Sequence, residues 1–186
     1  MLRTMPVALG VLCGCSASHV DSSVEAECRI AEPAGPLSDE EVEGLAARIV
    51  HEAGHLTGAT LAMGLRLTDG AAEDVALHDA NDVGDVNVTG EVSRTGPEVS
   101  GGLVADFRSY TGGHGGWGYA ALDGRACLAV RSDGETTWVD MDGVLRTAEG
   151  PARRGTPWGL VSLRQVIGAG GTRTEGTVGG RDVPLR

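Results

Sequence analysis

The chain has 186 residues, 30 of them glycine and 7 proline, so turn-forming residues make up about a fifth of it and a helical bundle or coiled coil is excluded. Hydrophobic residues at 41% and charged residues at 22% give enough apolar surface for one core. The net charge is −11, all 15 basic residues are arginine and aromatics are only 3%, a composition that repels phosphate backbones and offers no stacking platform, so nucleic-acid binding is excluded.

The first fourteen residues read as an export signal. Arg3 supplies the positive start, and Val7, Ala8, Leu9, Val11 and Leu12 form an apolar run far shorter than the ~20 residues that cross a bilayer. The run ends at Leu12-Cys13-Gly14-Cys15, followed by Ser16, Ala17 and Ser18, and this string resembles a bacterial lipobox. That resemblance implies cleavage before Cys15, a diacylglyceryl group on its thiol and a membrane-anchored protein facing the outside of the cell. Residues 15–36 are polar and acidic and close on Pro33, Gly35 and Pro36, a tether holding a domain of residues 37–186 away from the membrane. Cys28 and Cys127 remain as ordinary thiols, and outside the cytoplasm their pairing is open.

A helix is expected next. Ser38 is a good N-cap, Glu41 completes a capping box, and Leu37 and Val42 form a hydrophobic staple. Val42, Leu45, Ala46, Ile49 and Ala53 share one helical face, and Gly54 is the expected stop. From Thr60 the apolar period changes to two: Leu61, Met63, Leu65 and Leu67 read as a half-buried strand closed by Asp69-Gly70. Residues 73–79 look turn-rich. Val86, Val88 and Val92, then Leu103, Ala105 and Phe107, then Trp117, Tyr119 and Ala121 continue the strand pattern. Asp123-Gly124 is the strongest hairpin signal. Ala126, Leu128 and Val130 return, Ser132-Asp133-Gly134 turns, and Thr137, Val139 and Met141 alternate again. Thr156-Pro157 opens an expected second helix with Leu160, Leu163, Val166 and Ile167 on one face and Gly168 as its stop. Thr172 to Thr177 and Gly179-Gly180 read as a strand and a turn. The fold class is α+β: a curved antiparallel sheet packed against one or two helices.

One motif carries chemistry. His51-Glu52-Ala53-Gly54-His55 matches H-E-x-x-H and resembles the corresponding string of membrane-anchored, ATP-dependent zinc proteases. On a helix, His51 and His55 would bind zinc from one face and Glu52 would activate the bound water. Against an exported zinc peptidase stand a helix expected to fail at Gly54 and Gly58, Leu61 where a third ligand belongs, and no edge strand in residues 16–36 to hold substrate. Solvated histidines on a surface helix are the competing reading. Asp79, Asn81 and Gly84 hint at a calcium loop, which Val83 and Gly90 at its later positions rule out. No Gly-x-Ser-x-Gly elbow exists to position a serine nucleophile.

The order of these features resembles the actinobacterial lipid-carrier lipoproteins of the LppX/LprG type, which share a half-barrel with the LolA and LolB carriers. The resemblance rests on the lipobox at Cys15, the polar tether, one amphipathic helix leading directly into a strand at Leu61 to Leu67, successive antiparallel strands, the hairpin around Asp123-Gly124, the strand end Trp138-Val139-Asp140, the second helix at Trp158 to Ile167, and Glu175 to Gly180. Members carry further strands after such a Gly-Gly turn, so a truncated or divergent family member is expected. The resemblance implies a curved antiparallel sheet wrapped around helices, with an apolar cavity between them that takes lipid chains without catalysis, needing neither metal nor cofactor. Leu61, Met63, Leu65, Val86, Val88, Phe107, Leu128 and Val130 are the candidates to line it. A ligand-free surface scaffold with a filled core is the remaining alternative.

Overall fold

A computed structural model describes residues 36–80, 84–111, 121–148 and 157–183. Among them are one helix, α1 (Asp39–Gly64), and eight strands: β1 (Ala72–Ala80), β2 (Asp85–Thr95), β3 (Glu98–Tyr110), β4 (Ala121–Ser132), β5 (Thr137–Ala148), β6 (Gly159–Gly168), β7 (Gly171–Val178) and β8 (Arg181–Asp182). The strands pair antiparallel in chain order to make one open, curved sheet, and α1 packs on its concave side. The α+β half-barrel expected from the sequence is the observed architecture.

The helix starts where its residues dictate. Ser38 Oγ accepts from the Glu41 N–H at 3.3 Å, and Glu41 accepts from the Ser38 N–H at 2.7 Å, closing the capping box. Those bonds hold the Glu41 carboxyl below its ordinary pKa. Val42, Leu45, Ala46, Ile49 and Ala53 are all buried against the sheet, as their spacing requires.

The helix does not stop at Gly54. It runs 26 residues to Gly64, and the expected strand at Leu61 to Leu67 is its last turn and exit. Gly54 and Gly58 have open space where a Cβ would project, so they cost helix propensity alone, about 1 kcal/mol each. Close packing further along outweighs that cost. A Cβ on Gly64 would collide with Val99, and one on Gly101 would lie 2.7 Å from Thr60 Cγ2. Arg94 of β2 then secures the exit, donating to the carbonyls of Leu65 at 3.2 Å and Leu67 at 3.0 Å.

Three further expectations change. The stretch read as turns is β1, an edge strand with only Val75 buried; an edge exposed on most sides carries no apolar alternation to read. Asp123-Gly124 is not a hairpin tip but lies inside β4, opposite a bulge in β3 between Phe107 and Tyr110. Gly124 has a φ of +119° there and Ser109 a φ of 52°, so the glycine supplies a backbone irregularity rather than a reversal. The expected second helix is β6, where Gly159, Val161, Leu163 and Gln165 point inward and Leu160, Ser162 and Arg164 outward. Ten apolar-rich residues with three β-branched members satisfy either period, and pairing with both β5 and β7 decides it. Trp117, Tyr119 and the rest of residues 112–120 lie outside the described residues, as do Cys15, Cys28 and Thr156.

The register shows how the helix fits. One row across the sheet runs Val88, Ala105, Ala126, Gly143, Val161, Val178. Small residues at its middle and valines at its sides shape a trough for α1. At the helix N-terminus, Gly159 and Gly179 back onto Leu37, Arg181 of β8 pairs with Asp39, and Arg181 donates to the Leu37 carbonyl at 2.8 Å. Two substitutions test this account by urea unfolding. Gly54→Ala is expected to stabilise the chain by up to about 1 kcal/mol. Gly101→Ala should destabilise it despite sharing the same chemistry, since the added methyl meets Thr60.

Candidate functional site

The residues expected to line a lipid cavity divide into three groups. Val86, Val88, Phe107, Leu128 and Val130 lie on the concave face, all buried beneath α1. Leu61 and Met63 belong to the helix and are partly buried against that core. Leu65 follows the helix and is 65% exposed. In this arrangement the concave face is covered by the helix rather than left as an open chamber. Its uncovered margin is at β1, where Leu77 pairs with Val88 on the same face and is 42% exposed.

The H-E-x-x-H motif separates into two sides of α1. His51 and His55 are exposed, their rings 5.2 Å apart between centroids and tilted by 32°. Glu52 points the other way. It is 2% exposed and its Oε1 lies 2.5 Å from Arg48 Nη1. A carboxylate turned into the core and paired with arginine is not aimed at a water held by the two imidazoles. Among the described residues, no group of three or more His, Cys, Asp or Glu side chains comes together to hold a metal ion. The helix does continue past His55, contrary to the sequence expectation, so the motif's difficulty lies in the direction of Glu52 and not in helix length.

The buried ion pair belongs to a polar network that the sequence reading missed. Arg48 Nη2 donates to the Tyr110 carbonyl at 3.2 Å, and the Arg48 guanidinium lies 5.8 Å from the Tyr110 ring centroid. Tyr110 in turn donates its hydroxyl to Asp79 Oδ2 at 2.5 Å. The network therefore connects α1, the end of β3 and the end of β1. Burial, followed by the hydrogen bond to Asp79 and the negative charges of Glu52 and Asp79, pushes the Tyr110 hydroxyl far above its ordinary pKa. The available signal was Arg48 itself, a charge beside the apolar stripe with an acid four residues later.

On the opposite face of the sheet, Val104 and Cys127 pair across β3 and β4. Cys127 is disulfide-bonded, and its partner lies outside the described residues.

Removing one partner of a buried ion pair strands the other charge. Arg48→Met is expected to lose about 3–5 kcal/mol in urea unfolding, and Arg48→Met combined with Glu52→Leu should recover most of it. A pH series tests Tyr110. Its pKa is raised by folding, so its contribution is present below about pH 10 and lost as the pH climbs above that value. Wild type should lose stability above that pH more steeply than Tyr110→Phe. Comparison with protein-family models, with curated proteins and with solved structures finds no match to this chain.

Proposed function

We propose that the chain is an exported lipoprotein, anchored through Cys15, whose half-barrel binds the apolar part of a lipid or other amphipathic molecule between α1 and the sheet, without catalysis. The observation that supports this reading is the concave face: apolar from β2 to β6, open at the β1 margin, and covered among the described residues by one helix alone. Displacing α1 bares that face to an acyl chain, and each methylene moved from water contributes about 0.8 kcal/mol. The Arg48–Glu52 pair favours separability, since both charges belong to α1 and regain water together when the helix lifts, whereas packed hydrocarbon of the same volume would be bared. Leu77 and Leu65 offer apolar contacts at the rim.

A second reading, a display domain that takes no ligand, is favoured by the tightness of the same interface: Ile49 and Leu122 are 0% exposed and Leu128 1%. The zinc-peptidase reading has less behind it, because Glu52 is committed to Arg48. No helix among the described residues is long and apolar enough to cross a membrane, and membrane attachment in this proposal comes from the lipid on Cys15.

Pinning the helix separates the readings. Thr60 and Gly101 face each other closely enough that Thr60→Cys with Gly101→Cys should form a disulfide between α1 and β3. The purified chain should take up a fluorescent fatty acid saturably. The oxidised double variant should take up none, and reductant should restore uptake while leaving that of wild type unchanged. A wild-type chain that takes up no probe, and carries no lipid by native mass spectrometry, is a display domain.

A further inference from the structure

A cavity of about 250 Å³ opens on the face of the sheet away from α1, at the ends of β3, β4 and β5 and beside the start of β6. Its charged groups are unequally occupied. Arg125 is spent on Asp106, donating from Nε at 2.5 Å and from Nη2 at 2.9 Å. Asp123 accepts from the Ser109 N–H at 2.7 Å and from the Ser109 hydroxyl at 3.3 Å. Arg146 lies over the Trp158 ring at 4.4 Å, with its Nε 3.4 Å from Asp123. That guanidinium makes no hydrogen bond among the described residues, and its buried Nε lacks an acceptor. Arg108 on the rim is exposed and has no ionic partner among them either.

We infer that this cavity is a binding site for a small organic monocarboxylate, with its carboxylate held by Arg108 and Arg146 and its apolar body against Trp158 and Val144. Among the described lining residues, three arginines against two aspartates leave one net positive charge, which suits a monoanion. A phosphate dianion would meet Asp106 and Asp123 at close range, with no cradle of backbone N–H groups among the described lining residues in compensation. The Trp158 ring beneath the Arg146 guanidinium restrains a planar fork of donors, the geometry that a planar carboxylate accepts bidentately. The indole and the Val144 side chain supply an apolar wall for an aromatic or short aliphatic body. The site lies on the opposite face from the proposed lipid interface, so its failure leaves that proposal unaffected.

Calorimetric titration of the full chain with benzoate tests the inference, with benzamide and inorganic phosphate as comparisons. Benzoate should bind saturably at one site, benzamide should not bind, and phosphate should not displace benzoate. Losing one charge-assisted contact should weaken benzoate binding about tenfold in Arg108→Ala. Arg146→Lys, which keeps the charge but removes the fork, should weaken it similarly with an unchanged thermal midpoint, and Arg173→Ala on exposed β7 should leave it unchanged. The inference is overturned by an absence of saturable benzoate binding, by equal binding of benzamide, by displacement with phosphate, or by affinity that survives both Arg108→Ala and Arg146→Lys.

Discussion

The seating of α1 in the concave sheet is the constraint from which the rest of this structure follows. A sheet with one apolar face needs a cover, and a helix of 26 residues, about 39 Å long, spans enough of it to serve alone among the described elements. The fit depends on small residues at chosen positions. Gly101 admits Thr60, Gly64 lets the last turn lie against Val99, Gly159 and Gly179 receive Leu37, and the Ala105–Ala126–Gly143 row lowers the floor beneath the middle. A methyl group added at the first or second of these would lift the helix from the face it covers.

Within that apolar contact, Arg48, Glu52, Tyr110 and Asp79 form a polar connection between the helix and the ends of β3 and β1. It gives Glu52 a structural occupation and thereby separates it from the histidines on either side of it in the sequence. The same network confers a geometric specificity that hydrocarbon alone lacks: slipping α1 along its trough by one turn would part Arg48 from the Tyr110 carbonyl. It also makes the cover conditional, since both charges of the ion pair belong to α1 and are rehydrated together when the helix lifts.

The two faces of the sheet thus have different chemistry. The concave face is greasy and occupied by the helix; the other carries arginine–aspartate pairs, the Arg146–Trp158 stack and the Cys127 disulfide. Asp123-Gly124 links them. The glycine's positive φ accommodates the β3 bulge, and the adjacent aspartate ties Ser109 of that bulge to Arg146.

Much of the fold was legible in residues alone. Ser38, Leu37, Glu41 and Val42 carry the helix start, and alternating valines and leucines carry β2, β3, β4 and β5, because capping and burial on one face are local properties of neighbours in sequence. The helix end, β1, the interior position of Asp123-Gly124 and the strand identity of β6 were not legible. Each depends on a partner distant in the chain: Val99 for Gly64, β2 for β1, the β3 bulge for Gly124, and β5 with β7 for residues 159–168. The same division holds for the candidate site. Sequence identified Glu52 as a residue of interest, but only tertiary structure, by burying its carboxylate against Arg48, decided which way it faces; which side of a helix turns inward is set by what the helix packs on, and that surface is assembled chiefly from β2 to β5, later in the chain.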